Sequence, residues 1–291
     1  MLREGSQGGN FAAAGNAINS ASFTPNGAEV LTASNDGTAR IWNAATGKLL
    51  TTLDTGFPTY SAAFGPGGTY VMTATDAAEI TIWNVQSGKQ VADFFAGKAF
   101  LVHASYSPNG TEVATASNDG TARIWNATTG RQLAIFREPH AAPIGSATFS
   151  PDGAEIVTVS DDGTARVWDI RSGRQLTVIT DPQGARLYTA AFNPDGTRIV
   201  TSSGEGSATV WDALTGKQLT TLEYAQGASI LSAAFNSSGT EVVTAGYDGL
   251  ASVWSATPAG SLPTVVQMAT SRVESGLAPN ELKADLAAIP G

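Results

Sequence analysis

Carboxylates at regular spacing are the first residues in this chain that could do chemistry. Asp36, Asp119, Asp162 and Asp248 each precede a glycine, in Asn-Asp-Gly, Asp-Asp-Gly or Tyr-Asp-Gly steps. A ring of such groups would suit a calcium site or paired acid–base work. Each also stands where an aspartate ordinarily folds back to bond its own backbone in a tight turn, and that local role is the expectation. Glu29, Glu112, Glu155 and Glu241 repeat in the same manner at the start of β-rich runs, as on a solvated edge. His103 and His140 are the only histidines, and the chain has no cysteine, so neither a His-rich centre nor a Cys-type zinc site nor a disulfide framework is expected. Neither a Gly-x-x-x-x-Gly-Lys-Ser/Thr phosphate loop nor a Gly-x-Ser-x-Gly elbow occurs. Serine and threonine are abundant, but hydroxyls without a histidine partner do not make a nucleophile. The expectation is no catalytic residue, no metal and no cofactor.

The carboxylates recur because everything around them recurs. Six tryptophans, Trp42, Trp83, Trp125, Trp168, Trp211 and Trp254, follow one another at intervals of 41 to 43 residues. That is the length of one four-stranded propeller blade, a unit that cannot bury its own faces and needs neighbours. In the fourth repeat, strand a runs Ile144–Phe149, Pro-Asp-Gly turns the chain, and strand b follows over Glu155–Ser160. Asp162-Gly163 predicts a two-residue type I′ hairpin. Strand c is Thr164–Asp169, Ser172-Gly173 turns again, and Gln175–Ile179 is the outer strand d. Runs such as Val113–Ala116 and Ile156–Val159 read as inner strands covered on both faces. On strand a, apolar residues five and two before the aromatic, such as Ile144 and Ala147 before Phe149, have opposite parity. A β-bulge would send both inward.

With these repeats in register, residues 10 to 255 resemble the WD-repeat family of β-propellers. The family's Trp-Asp pair stands as Trp168-Asp169 and Trp211-Asp212; elsewhere Asn or Ser follows the tryptophan. The resemblance implies a structural hydrogen-bonded tetrad, which here would be His140, Thr158, Asp162 and Trp168. The second repeat departs furthest, with Ala77-Ala78 in place of Asp-Gly. The implied fold is all-β, a six-bladed propeller of four-stranded antiparallel blades, with a seven-bladed parent or a truncated array as alternatives. Residues 1–9 are expected to be a flexible amino terminus and 10–257 the propeller. Its sixth blade would be closed by Asn10–Ala14 as a fourth strand. Residues 258–291 read as a linker and a short carboxy-terminal helical hairpin, because Val265, Met268, Ala269 and Val273 recur at helical spacing. That tail is similar to the ends of bacterial WD-repeat arrays in signalling ATPases and caspase-like effectors.

Partner classes follow from charge and from the loops. Sixteen Lys and Arg face 25 Asp and Glu, a formal charge of −9, which argues against nucleic acid as a partner. No window is apolar enough for a membrane span and no apolar leader opens the chain, so a cytoplasmic protein is expected. The b–c turns and d–a loops share one end of the propeller and carry Asp36, Asp76, Asp119, Asp161, Asp162, Glu205 and Asp248. Lys48, Lys89, Arg131, Arg174 and Lys217 mark the other end. The acidic end would steer a basic protein or peptide. Recognition is expected where side chains vary on that end: Asn19, Tyr60, Tyr188 and Leu231 on strand a, and Asn35, Asn118, Asp161 and Tyr247 in the turns. Arg40, Arg123 and Arg166, two residues before their tryptophans, either cluster for an acidic partner or pair with a turn carboxylate. The function expected is a noncatalytic protein-interaction scaffold or sensor. A propeller hydrolase with a metal in the channel and a passive spacer of a larger signalling protein are the alternatives.

Overall fold

The computed structural model describes residues 17–97, 99–139, 141–223, 227–256 and, as backbone, 266–268. They build six four-stranded antiparallel sheets in which neighbours in sequence pair in space, the six blades of a β-propeller. The fourth blade comprises Ile144–Phe149, Glu155–Ser160, Thr164–Asp169 and Gln175–Thr180. The expected bulge is present in every blade. Register slips just after the first residue of strand a, as between Ile144 and Ser146, so that Ile144 and Ala147 are both buried.

The b–c turns differ from the expected type I′ geometry, which needs positive φ at both central residues. Asp162 is not among the non-glycine residues of positive φ, whereas Gly163 has φ 79. The Gly163 N–H donates to the Ser160 carbonyl at 3.2 Å. This is a type I turn closed by one left-handed glycine, a three-residue hairpin loop rather than a two-residue one. In the second blade Ala78 adopts that left-handed conformation itself, at φ 60, a geometry costing an L-residue about 1–2 kcal/mol. The Ala78 N–H still reaches the Thr75 carbonyl at 3.1 Å, so the divergent repeat keeps the turn.

Apolar cores lie between blades rather than within them. Met72, Ala74, Ile80 and Ile82 of the second blade meet Leu101, Ala104, Val113 and Trp125 of the third. In the same way, Val157, Val159, Ala165 and Val167 of the fourth meet Leu187, Ala190, Ile199 and Trp211 of the fifth. Each tryptophan is fixed by its indole N–H, which donates to a strand b threonine ten residues earlier. The six bonds, from Trp42–Thr32 to Trp254–Thr244, measure between 2.8 and 3.0 Å. Around the channel, strand a bonds strand a of the next blade: the Ala62 N–H donates to the Ser20 hydroxyl at 3.1 Å and the Ala233 N–H to Thr189 at 3.2 Å. His103 belongs to this inner ring. Burial pushes its imidazole down to about 4, so it is neutral at pH 7 and serves packing.

Among the described residues, five such cores fill the five seams between successive blades. Of the side chains placed to build a sixth, Trp42 and Val30 are buried at 7% and 6%, but Val243 is 44% and Ile18 39% exposed, whereas their counterparts Val157 and Ile144 are at 0% and 1%. The fourth strand of the sixth sheet is Val266–Met268, paired with Ala251–Ser255. An open strand edge is a row of unmet backbone donors and acceptors, and this pairing satisfies part of it. Met268, expected on a helix, is therefore in extended backbone. The segment 10–14 expected at that edge, residues 1–9 and the rest of the 258–291 tail lie outside the described residues.

If the tryptophans are the pillars of the seams, Trp211→Ala will lower unfolding free energy by about 3–5 kcal/mol in urea titrations. Thr201→Val, which strands the indole N–H, will cost about 1–3 kcal/mol. A loss below about 1 kcal/mol for Trp211→Ala would show that the seams do not depend on it.

Candidate functional site

The end of the propeller that carries the b–c turns is built, in the first four blades, by short contacts between each turn and the loop that follows its blade. The Thr55 N–H donates to the Gly37 carbonyl at 2.9 Å, Glu138 to Gly120 at 3.0 Å and Asp181 to Gly163 at 3.0 Å. Loops so tied present their side chains from fixed backbone.

The turn aspartates are occupied with holding this frame. Asp36 accepts the Thr38 N–H at 3.1 Å and its hydroxyl at 2.6 Å. Asp119 and Asp162 accept from Thr121 and Thr164 in the same way, both backbone bonds at 3.0 Å, and Asp248 accepts from Leu250 at 3.0 Å. The second carboxylate oxygen takes the strand c arginine: Arg40–Asp36 and Arg123–Asp119 at 2.7 Å, Arg166–Asp162 at 3.2 Å. The arginines thus pair with their own turns and do not gather into a cluster. Burial alone would raise these carboxyls, but the threonine and arginine hydrogen bonds and the arginine charge outweigh it. Asp36, Asp119 and Asp162 are held below the usual carboxylate range. Among the described residues, no three acidic or histidine side chains converge as metal ligands.

The fourth blade carries the most developed network. His140 lies outside the described residues, and the group that meets Thr158 is Glu138. Trp168 donates to the Thr158 hydroxyl at 3.0 Å, and Thr158 donates to Glu138 at 3.3 Å. Arg166 bridges Glu138 and Asp162. The Glu138 side chain is fully buried. Burial raises its carboxyl above the ordinary range, with Asp162 adding to the rise and Arg166 opposing it. No pattern of aspartate or tryptophan spacing pointed to Glu138, because it lies in a loop whose length varies from blade to blade.

The rim residues fall into two joined pairs and several separate anchors. The Asn19 amide donates to Asn35 at 2.6 Å and to the Thr59 carbonyl at 2.9 Å, linking the first blade to the second. Asp161 and Tyr188 are joined through Arg186, which pairs with Asp161 at 2.7 Å and lies 5.3 Å over the Tyr188 ring. Tyr60, Asn118, Leu231 and Tyr247 are exposed on the second, third and sixth blades, the last carrying both Leu231 and Tyr247. Sequence reasoning missed Arg186, Phe57 and Phe100. All three sit in d–a loops, outside the repeating register, and both phenylalanines are exposed. The acidity expected of this end is also reduced. Asp36, Asp119, Asp161 and Asp162 are each paired with arginine, while Asp76, Glu205 and Asp248 are outside the ion pairs among the described residues.

A family model described as WD domain, G-beta repeat matches residues 5–43, 88–126, 130–169, 173–212 and 216–255, more than half of the chain. The unmatched stretch 44–87 holds the repeat with Ala77-Ala78. No curated protein matches the sequence.

The raised carboxyl of Glu138 has a signed consequence. A group whose folded pKa exceeds its unfolded value contributes stability that is fully present below the unfolded pKa, near 4.5, and is lost as pH rises through the folded one. Glu138→Gln will therefore gain stability relative to the unsubstituted chain as pH rises from 4.5 toward neutrality, measured by urea unfolding at stepped pH. A difference that is flat, or that moves the other way, would contradict this.

Proposed function

This chain belongs to the WD40 repeat family, and on that premise we propose that it captures a protein or peptide on the end formed by the b–c turns and d–a loops. WD40 propellers are commonly protein-interaction scaffolds and are in general noncatalytic. The observation that carries the choice of face is its exposed aromatic set: Tyr247 at 79%, Phe100 at 57%, Phe57 at 48% and Tyr60 at 38%. Aromatic side chains left in water lose little conformational entropy on docking when their backbone is already fixed, and they bury much area when covered. Tyrosine is moreover enriched among residues that dominate binding energy. Asp76, Glu205 and Asp248, outside the ion pairs, favour basic side chains in the partner's rim.

The resemblance of the tail to signalling proteins supports a place in a cytoplasmic signalling assembly, with the propeller as its sensing or docking part. No helix among the described residues is long and apolar enough to cross a membrane.

Crosslinked capture from native cytosol tests the assignment, comparing the chain with a Tyr60→Ala, Tyr188→Ala, Tyr247→Ala variant whose folding is confirmed by circular dichroism. Loss of two or three anchors at about 2 kcal/mol each will reduce recovery of the specific partner by tenfold or more. Equal recovery of every partner by the folded variant would place recognition elsewhere.

A further inference from the structure

Hydrogen bonds between neighbouring strands a tie successive blades around the channel. Besides the Ala62–Ser20 and Ala233–Thr189 bonds, the Ser61 hydroxyl donates to the Ala104 carbonyl at 3.3 Å, Ser105 to Ala147 at 2.9 Å and Thr148 to Ala190 at 2.8 Å. Among the described residues, no such bond joins Ile230–Phe235 of the sixth blade to Ile18–Phe23 of the first. Ser232, the counterpart of Ser61, is exposed. The two walls of this seam are uncovered in a particular pattern. On the sixth blade, Val243 and Ala245 are exposed, where Val157 and Val159 of the fourth are fully buried. On the first blade, Ile18 and Ala21 of strand a are exposed, where Ile144 and Ala147 are buried, yet Val30 and Trp42 are covered.

Register accounts for that pattern. Elsewhere a tryptophan meets the outer strand of the preceding blade: Trp125 lies 5.5 Å from Phe94 and Trp168 5.6 Å from Phe136, between ring centroids. Phe11 stands 31 residues before Trp42, as Phe94 stands before Trp125. The family matches that open at 88, 130, 173 and 216 each open one or two residues before an outer strand, so the match from 5 puts residues 5–13 in register with one. The outer strand of the sixth sheet is already Val266–Met268. Residues 5–13 thus align with the outer strand of a further blade, and the uncovered side chains are those that its three inner strands would cover. Residues 269–291 do not replace those strands: they hold no tryptophan and are fewer than the stretch Ile144–Asp169 that forms strands a to c of the fourth blade.

We propose that the seam between the sixth and first blades is a docking slot for a three-stranded antiparallel β-sheet of a partner polypeptide, completed as a seventh blade by residues 5–13. One face of the partner sheet lays isoleucine- and alanine-like side chains of its innermost strand on Val243 and Ala245, and a carbonyl of that strand accepts the Ser232 O–H. Its other face lays small and β-branched side chains on Ile18 and Ala21. Both contacts repeat those of the five closed seams, where burial of such side chains supplies the stability. Pairing with the outer strand gives the partner sheet backbone bonds as well. The slot opens between two blades and does not rest on the docking face proposed above.

A unit taken from this chain serves as the probe: a copy of residues 181–212, which hold a d–a loop and strands a to c of the fifth blade, appended after Gly291 of the full chain. The tail then tethers the unit near the slot at about millimolar effective concentration. Docking will slow amide exchange at Ile18–Phe23 and Val242–Gly246 tenfold or more and raise the apparent melting temperature by about 5–10 °C. Unchanged exchange at those strands overturns the proposal. The natural chain has no cysteine, so Ile18→Cys with Val243→Cys reports whether the two walls meet directly. Without the appended unit, no disulfide will form within a chain under mild oxidation. Ready formation of one would show a ring closed at six blades, and protection of the same strands by self-association of the natural chain would make a second copy the occupant; either result also overturns the proposal.

Discussion

Everything in this molecule depends on packing between blades. A single four-stranded blade has two apolar faces and no means of covering either. The repeat solves this by giving each blade a trailing face of small and β-branched residues and a leading face of strand a residues, a strand b apolar group and the tryptophan. The indole N–H bond to a strand b threonine then holds the pillar upright within its own sheet. Because burial of so large a side chain outweighs one net hydrogen bond, the scaffold tolerates loss of other elements so long as the seam is kept. The second blade illustrates this. It lacks the Asp-Gly turn and its Ala78 is left-handed, yet Trp83 still reaches Thr73 and packs against Leu31 and Ile41 of the first blade.

The same economy explains the charges. Aspartates in the turns and arginines on strand c neutralise one another across four residues, and the threonine two residues beyond each aspartate completes the closure. These groups look like site chemistry in a sequence because they are polar, acidic and regularly spaced. Their geometry shows that they are structural fastenings, and the proposed recognition rests on side chains that the fold does not need.

Much of the fold was legible because periodicity is enforced by burial. Tryptophan spacing set the blade length, the parity conflict on strand a required a bulge, and continuous apolar runs marked strand b. What the sequence concealed has physical reasons. The Asp-Gly dipeptide suggested a two-residue turn, but the residue before the aspartate also belongs to the loop and only the glycine needs positive φ. Glu138, Arg186, Phe57 and Phe100 lie in d–a loops of unequal length, where register offers no guide. The uncovered Val243 and Ile18 were equally hidden, since their residue types match those of the closed seams. Of the rim residues, Asn19 with Asn35 and Asp161 with Tyr188 come together through contacts that spacing cannot reveal.

The two ends of the propeller therefore differ in kind: one presents tethered turns whose aspartates are paired with arginine, the other basic turns. Hydrogen exchange of the chain alone and with a captured protein partner separates them most directly. Binding to the aromatic end predicts protection of the amides around Asn35, Phe57, Phe100, Asn118 and Tyr247, with no change at Lys48, Lys89, Arg131, Arg174 and Lys217. Protection confined to the basic end, or to the outer strands, would contradict the account.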